Sequence, residues 1–301
     1  MPDQTGRTVL VTGATSGLGL ASALALSRAG ARVLLTARDP ERGKAALERV
    51  HDHGHPDAEL VELDLADLAS VRRAAADVRA RTGDRLHVLM NNAGVMGTPL
   101  GSTVDGFETQ IGTNHLGHAA LTWLLMPALR GAGGARVVTV SSLAHGGHGL
   151  DVDDLHSTTR PYRPDRAYSA SKLANLLFAT ELDRRLRAAA EDVISVAAHP
   201  GLTGTELLGN SVRLRSALLA PLARPINAVI AQPLRTGVLP QLFAATAPQV
   251  RGGDYVGPGG LGEVRGHPGP AKRSAAAQDP ALAARLWDAT AAATGVAPDP
   301  A

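Results

Sequence analysis

The stretch Thr8-Val-Leu-Val-Thr12, followed at once by Gly13-Ala-Thr-Ser-Gly17-Leu-Gly19, decides the fold of this chain of 301 residues. Its β-branched and leucine residues predict a buried strand, and the run from Leu20 to Ala29 predicts a helix. Glycines let a backbone turn sharply and approach a ligand, and a helix N-terminus offers free N–H groups and partial positive charge. Strand, glycine turn and helix in this order predict a site for phosphate groups.

The glycine spacing is G-x-x-x-G-x-G and differs from the G-x-G-x-x-G of the standard dinucleotide fingerprint. By itself the turn could therefore be a nucleotide site or only a structural turn. A second predicted strand, Ala31 to Ala37, ends at Arg38. An acid near this position would bind a ribose 2′-hydroxyl, whereas an arginine accommodates a 2′-phosphate. Arg38 could also simply end the strand in solvent, but we favour the phosphate role and hence NADP over NAD.

Composition excludes several classes of protein. Apolar residues make up 44% of the chain and charged residues 19%, as in a globular protein with a sizeable core. There are no cysteines, hence no disulfides or thiolate sites. The 30 basic and 28 acidic residues nearly balance, and no basic run with interleaved aromatics indicates nucleic-acid binding. We find neither a signal-peptide pattern nor an apolar run long enough for a bilayer, and expect a cytoplasmic protein without membrane contact.

Further apolar runs alternate with helical patterns along the chain. They predict strands at Glu59–Leu63, Leu86–Met90, Arg136–Val140, Val193–Ala198 and, as a short edge strand, Asp254–Val256. At least six strands alternating with helices predict one α/β domain with a doubly wound parallel sheet. We expect an ordered core at about residues 6–293 and a disordered tail at 294–301.

Polar residues follow several of these strands. They are Asp64-Leu65, Asn91-Asn92-Ala93-Gly94, Ser141-Ser142, and His199-Pro200-Gly201 with Thr203 and Thr205. Open α/β sheets bind ligands at the carboxyl ends of their strands, so these residues are candidates for a binding site. Asp64 could accept a hydrogen bond from an adenine amino group, or could cap the helix predicted from Asp67 to Arg81.

Two helices carry residues that point to chemistry. Asn114 lies inside the helical pattern from Phe107 to Arg130, which could break near Gly112. Asparagine competes for backbone hydrogen bonds inside a helix, so we expect a specific role for it there. Tyr168 and Lys172 are four residues apart and share a helix face, so the ammonium favours loss of the phenol proton. We predict that Tyr168 is a proton donor and that Lys172 lowers the pKa of its phenol.

Three other patterns are weaker. Tyr162 competes with Tyr168, but lies among prolines in a predicted loop. The histidines of His51-Asp-His-Gly-His55 could bind a metal, although Gly54 and Pro56 favour a solvated turn. The serines before His145 lack the G-x-S-x-G elbow of a serine hydrolase.

Taken together, the motifs resemble those of the short-chain dehydrogenase/reductase family. The matching residues are Thr12-Gly13-x-x-x-Gly17-x-Gly19, Asn91-Asn92-Ala93-Gly94, Asn114, Ser142, Tyr168-x-x-x-Lys172 and Pro200-Gly201, in the family's order. The surroundings of Asn114 and Ser171-Lys-Leu-Ala-Asn175 resemble the retinol dehydrogenase and protochlorophyllide reductase-like branch, which mostly uses NADP.

The resemblance implies a role for each matching residue. Tyr168 would be the general acid/base, Lys172 would lower its pKa and hold the nicotinamide ribose, and Ser142, rather than Ser141, would bind the substrate carbonyl. Asn114 would position a water in a proton relay. The implied cofactor contacts are the glycine turn (Gly13, Thr15, Ser16, Gly17, Leu18 and Gly19) at the pyrophosphate, Asp64 at the adenine, Asn91 at the adenosine ribose, and Pro200, Gly201, Thr203 and Thr205 at the carboxamide. Leu65, Ala93, Gly94 and Tyr168 are further implied cofactor contacts. Arg38 would meet a 2′-phosphate largely alone.

We therefore expect an NADP-dependent oxidoreductase acting on a small carbonyl or alcohol, apolar in character. The alternatives are a cofactor-binding scaffold or redox sensor without turnover, and an epimerase or dehydratase on the same fold. The apolar, arginine-dotted segment 203–232 is expected to be a lid over the substrate, with a partner surface or a membrane-interface segment as alternatives. The resemblance also implies a homodimer or homotetramer, built through helices such as that of Tyr168.

Overall fold

The computed structural model describes residues 1–202 and 232–301. Within these ranges one eight-stranded sheet has the order β3-β2-β1-β4-β5-β6-β7-β8. Its strands are β1 (Thr8–Val11), β2 (Arg32–Ala37), β3 (Glu59–Glu62), β4 (Val88–Asn91), β5 (Ala135–Val140), β6 (Val193–Ala198), β7 (Tyr255–Pro258) and β8 (Pro268–Pro270). The first seven strands pair in parallel, and β8 runs antiparallel to β7. The predicted single α/β domain with a doubly wound sheet is confirmed.

Helices cover both faces of the sheet. They are α1 (Gly17–Arg28), α2 (Pro40–His53), α3 (Leu68–Thr82), α4 (Gly117–Ala132), α5 (Pro164–Ala188), α6 (Leu239–Thr246) and α7 (Pro280–Thr294). Both α2 and α7 begin with an aspartate cap, Asp39 or Asp279, followed by proline in the first turn, which is a favoured way to start a helix. No helix of the described residues is both long and apolar enough to cross a bilayer.

The core consists of two apolar layers, one on each face of the sheet. Leu10 of β1 belongs to the layer under α3, α4, α5 and α7, whereas its neighbours Val9 and Val11 belong to the layer under α1, α2 and α6. Side chains alternate between the two faces along a strand, so a strand covered on both faces must be apolar throughout. This explains the uninterrupted apolar runs of the sequence.

The C-terminal part differs from the sequence predictions in two respects. The strand predicted at Asp254–Val256 is not an edge strand, because β7 lies between β6 and β8. The prediction of a disordered tail is also wrong: Val296 is only 7% exposed in the core, and Asp299 pairs with Arg130 of α4. Sequence pattern missed both, since Pro268–Pro270 carries no strand signal and the tail packs through only a few residues.

Helix α7 packs across α4 and α5 on the side away from the sheet. The ring centroid of Trp287 lies 4.9 Å from that of Trp123 in α4 and 5.5 Å from that of Phe178 in α5. The guanidinium of Arg185 lies 4.8 Å from the centre of the Trp287 ring. This part of α5 is therefore covered by the chain's own helix, and a dimer formed through it would have to displace α7.

Candidate active site

A cleft of about 410 Å³ opens at the carboxyl ends of β1 to β4. The strand order reverses between β1 and β4, and open α/β sheets bind ligands at such a point. Of the residues selected from the sequence, the cleft is lined by Gly13, Thr15, Ser16, Gly17, Leu18, Gly19, Arg38, Asp64, Leu65, Ala93 and Gly94.

The glycine turn allows β1 and α1 to meet closely beside this cleft. Gly13 has a φ of +65°, and a Cβ on Gly19 would lie 2.3 Å from the carbonyl oxygen of Gly13. Ser16 caps α1 without a side-chain hydrogen bond, and the first turn of α1 contains no acidic residue. The N–H groups at this helix start are therefore suited to an anion.

Tyr168 and Lys172 meet on the inner face of α5. Both are buried, and the Lys172 Nζ lies 5.7 Å from the centre of the Tyr168 ring. Lys172 Nζ also donates to the carbonyl oxygen of Val140 at the end of β5 (3.1 Å). A Cβ on Gly94 would lie 3.2 Å from Asn114 Oδ1 and 3.4 Å from Lys172 Nζ. The structure thus brings Asn114 and Lys172 together at the wall of the cleft.

The two serines after β5 have different surroundings. Ser141 is buried, and its hydroxyl donates to the carbonyl oxygen of Lys172 (2.8 Å). Ser142 is half-buried, and its Oγ accepts from the backbone N–H of Ala144 (3.2 Å). Within the described residues the hydroxyl proton of Ser142 has no acceptor. Ser142 can therefore donate a hydrogen bond to a carbonyl ligand, whereas the hydroxyl of Ser141 is already bonded to the backbone of α5.

Tyr162, the competing tyrosine, belongs to a structural network. Its hydroxyl lies 3.0 Å from the carbonyl oxygen of Thr98 and from Glu108 Oε1, and accepts a hydrogen bond from Gln110 (3.0 Å). Burial is the main cause that raises the pKa of Tyr162. A phenol that is already hydrogen-bonded within the protein and has a raised pKa is poorly suited to proton transfer at neutral pH. The geometry therefore favours Tyr168 over Tyr162 as the proton donor.

The sequence model described as short chain dehydrogenase matches residues 7–215. The chain is 40% identical to mouse polyprenol dehydrogenase, with 95% of this chain and 83% of that protein covered. It is 37% identical to human retinol dehydrogenase 13, with 97% and 85% covered. A solved structure of an uncharacterised protein from Mycobacterium paratuberculosis superposes with a TM-score of 0.81 at 41% identity, covering 99% of this chain and 97% of the other.

The chain belongs to the short-chain dehydrogenase family.

Within that family, these relatives place it in the retinol dehydrogenase-like branch. The protein is accordingly an oxidoreductase of this family.

Arg38 does not face the cleft alone. Arg42 lines the same end of it, because Asp39 caps α2 by accepting from the N–H groups of Glu41 and Arg42 and thereby places Arg42 in the first helical turn. Sequence reasoning missed Arg42, although a basic residue in the first turn of the helix after Arg38 was a usable signal. Two guanidinium groups border this end of the cleft.

Asn91 and Asp64 differ in part from expectation. Asn91 does not line the cleft: it is fully buried, and its amide donates to the hydroxyl of Thr122 (2.9 Å). Asn92 lines the cleft instead, anchored by its amide to the carbonyl oxygen of Thr12 (2.8 Å). The alternative that Asp64 caps α3 is wrong, since Asp67 is the cap.

Asn114 owes its place in the helix to side-chain bonds. It lies in a π-helical turn, Gly112–Leu116, that leads into α4, and such turns are frequent at functional sites. Its amide donates to the carbonyl oxygen of Val95 and to Ser171 Oγ (both 2.9 Å), and its Oδ1 accepts from the N–H of Val95 (2.8 Å). The side chain is therefore rigidly held.

A buried histidine that the sequence did not single out connects Asn114 to the glycine turn. His118 Nδ1 lies 2.9 Å from the carbonyl oxygen of Asn114, so this nitrogen carries the proton. The other ring nitrogen, 2.9 Å from Thr12 Oγ1, then accepts from that hydroxyl. Burial is the main cause that lowers the pKa of His118 to about 4, and the charge of Lys172 lowers it further. His118 is thus a neutral link between β1 and the turn of Asn114.

Of the residues predicted to bind the carboxamide, only Pro200 and Gly201 belong to the described part of the chain. Pro200 and Gly201 follow β6 as expected, whereas Thr203, Thr205 and most of the proposed lid at 203–232 lie outside the described residues. Across residues 1–202 and 232–301 no cluster of side chains suits a metal ion. His51 lies in the last turn of α2 and contacts the carbonyl oxygen of Ala58 (2.9 Å).

Proposed function

We propose that the protein is an NADP-dependent oxidoreductase that interconverts a carbonyl and an alcohol, with Tyr168 as general acid/base. The observation that carries the proposal is the Lys172 Nζ placed 5.7 Å from the ring of Tyr168 beside a cleft built on a glycine turn. A buried ammonium so placed favours the phenolate form of the tyrosine. Nucleotide binding alone would not require a proton donor at this position.

The residues of the cleft fit a nicotinamide dinucleotide. The open start of α1 would hold its pyrophosphate, and Arg38 and Arg42 offer positive charge where a ribose 2′-phosphate would lie. When bound, the cofactor supplies the hydride in carbonyl reduction or accepts it in alcohol oxidation.

The chain's own groups handle the proton. In the reductive direction, negative charge develops on the carbonyl oxygen as the hydride reaches the carbon. Ser142 donates a hydrogen bond to this oxygen and Tyr168 transfers its phenolic proton, so that the products are an alcohol and the oxidised cofactor. Lys172 stabilises the resulting phenolate by charge, and Asn114 would hold a water that returns the proton.

The relatives support an apolar substrate. They are named for polyprenol and retinol, and we propose that this protein acts on an apolar alcohol or its carbonyl counterpart.

The test is to incubate purified protein with NADPH or NADH and a panel of aldehydes, ketones and quinones, retinal among them, and to follow the loss of reduced-cofactor absorbance. We expect turnover with at least one apolar carbonyl compound, faster with NADPH than with NADH. Tight NADPH binding without turnover across the panel would favour a cofactor-binding scaffold.

A further inference from the structure

The loop between β7 and β8 contains a residue in an unfavourable backbone conformation. Glu263 has a φ of +56°, a region that side chains other than glycine seldom occupy. Its N–H donates to the carbonyl oxygen of Gly260 (2.9 Å), and its Oε1 accepts from the N–H of Lys272 (2.9 Å). Its Oε2 lies 3.1 Å from His199 Nε2. Such strain persists only where the surroundings fix it, and it is frequent near functional sites.

The partner of Glu263 is a histidine with a defined proton position. His199 directly follows β6 and is fully buried. Its Nδ1 accepts from the N–H of Gly201 (3.2 Å), so its Nε2 carries the proton and donates to Glu263. A Cβ on Gly257 would lie 2.0 Å from Nε2, so the ring rests on bare backbone of β7. Burial lowers the pKa of His199 to about 4 against the opposing effect of Glu263, and only the unprotonated Nδ1 can accept from Gly201.

The same loop also holds the turn that follows His199. Gly201 has a φ of +69°, and a Cβ there would lie 2.5 Å from the carbonyl oxygen of Val264. The next N–H, that of Leu202, donates to this oxygen (2.9 Å). The side-chain amide of Gln232 donates to the carbonyl oxygen of Pro200, the residue before Gly201. The turn at Pro200 and Gly201 is therefore fixed from several sides by residues distant in sequence.

We propose that Glu263 and His199 are a positioning pair that sets the Pro200–Gly201 turn against the nicotinamide half of the cofactor. The inference rests on the proposed function, in which this turn binds the carboxamide. Neither side chain needs to touch the cofactor. Glu263 fixes the ring of His199, and the ring fixes the N–H of Gly201 and hence the direction of the turn.

The experiment compares two ligands that share only the adenosine end. NADPH and adenosine 2′,5′-bisphosphate are each titrated into the full-length protein and its Glu263→Ala variant by calorimetry. We expect Glu263→Ala to weaken NADPH binding about tenfold, the loss that follows when a buried hydrogen-bonding group loses its partner. Binding of the bisphosphate should stay within about twofold, because it makes no contact with the turn.

Three further variants separate this role from general destabilisation. Glu191→Ala is the matched control, because the Glu191 side chain is 15% exposed, as is that of Glu263, and is paired with Arg130 just before β6 begins. Both affinities should be unchanged in it. Glu263→Gln keeps only one acceptor oxygen, which can face His199 while its NH2 group replaces the oxygen that accepted from the N–H of Lys272. NADPH binding should therefore recover only in part, with a loss smaller than that of Glu263→Ala. Glu263→Gly relieves the backbone strain and should show the same selective loss as Glu263→Ala.

The outcomes separate this inference from the proposed function. Equal weakening of both ligands by Glu263→Ala and Glu263→Gly, or no weakening of either, overturns the positioning role while the proposed function stands. A wild-type protein that binds neither ligand overturns the proposed function and the inference with it.

Discussion

The two ends of the proposed cofactor site, called the adenosine end and the nicotinamide end after the proposed function, are constructed differently. At the adenosine end, the glycine turn from Gly13 to Gly19 is one continuous stretch that offers main-chain N–H groups, with Arg38 and Arg42 close by. The nicotinamide end consists of side chains from separate segments, held by buried hydrogen bonds. These are Asn114 before α4, Ser142 after β5, Tyr168 and Lys172 in α5, and His199 after β6. The adenosine end should therefore be sensitive to added volume, and the nicotinamide end to the loss of single polar atoms.

The largest effect is expected at the nicotinamide end. Tyr168→Phe removes the transferable proton and should lower kcat more than ~100-fold, the lower end for loss of general acid/base catalysis. NADPH affinity should be nearly unchanged. Steady-state rates with the most active carbonyl of the panel, together with NADPH titration, measure both quantities. Tyr162→Phe is the control, since the hydroxyl of Tyr162 serves only structural contacts, and its kcat should change little. Turnover by Tyr168→Phe within a few-fold of the wild type would refute the role of Tyr168.

At the adenosine end, an added methyl group should be the most damaging change. In Gly19→Ala the new Cβ would lie 2.3 Å from the carbonyl oxygen of Gly13 and 2.6 Å from Asn92 Nδ2. Overpacking of this kind costs about 1–3 kcal/mol of stability, and the distorted turn should bind NADPH more than about tenfold less tightly. Urea unfolding and NADPH titration measure the two effects. Gly149→Ala, where nothing lies within 4 Å of the new Cβ, should alter neither, and wild-type behaviour of Gly19→Ala would contradict the close approach.

The charge of the adenosine end should set cofactor choice. Arg38→Ala should weaken NADPH binding by roughly tenfold, the order expected for loss of one charge-assisted contact to phosphate. NADH has no 2′-phosphate, so its binding should not change. Arg42→Ala should act in the same direction, because Arg42 lines the same end of the cleft. Arg49→Ala, exposed near the far end of α2, should affect neither cofactor. Equal losses for NADPH and NADH would remove the argument for 2′-phosphate recognition.

A smaller effect should appear as a pH dependence of stability, and it arises from the nicotinamide end. His118 is fully buried, and its pKa is lowered from the ordinary 6.5 of a histidine to about 4. As pH falls from 6.5 towards 4, the unfolded chain takes up a proton at this residue and the native chain does not. The free energy of unfolding therefore falls, by up to about 1.4 kcal/mol per pH unit. Above pH 6.5 this contribution no longer changes.

The variant His118→Asn should lose this part of the pH dependence. Urea unfolding at pH 6.5 and pH 5.5 should show a difference smaller by about 1 kcal/mol than in the wild type. His53→Asn, which alters an exposed histidine at the end of α2, should retain the wild-type difference. An unchanged pH dependence in His118→Asn would mean that His118 is not buried as a neutral ring.

The same contrast explains what could be predicted from the sequence. The strand, glycine turn and helix around Gly13 are encoded in one local stretch of sequence. Tyr168 and Lys172 are related by a spacing within one helix. Both features could therefore be predicted from the sequence. At the adenosine end two residues were missed: Arg42, whose position depends on where α2 begins, and Asn92, which lines the cleft in place of Asn91. At the nicotinamide end, more of the contacts could not be predicted.

The missed contacts there depend on tertiary structure. His118 becomes informative only when α4 packs beside β1, and the pairing of His199 with Glu263 only when β7 joins the sheet. At the adenosine end, the choice between Asn91 and Asn92 depends on which of the two adjacent side chains faces the cleft after β4. Two identical residues in a row do not reveal this. No local pattern could supply these contacts, because each joins segments that are distant in sequence.

The packing of α7 over α4 and α5 has a practical consequence for any shortened form of the protein. Removing residues 279–301 would uncover the rings of Trp123 and Phe178 and the buried histidine His115, whose Nε2 lies 2.8 Å from Thr290 Oγ1. Because His115 adjoins Asn114, trimming the C-terminus should also loosen the turn that holds this proposed catalytic residue, and the exposed rings should make the product aggregate.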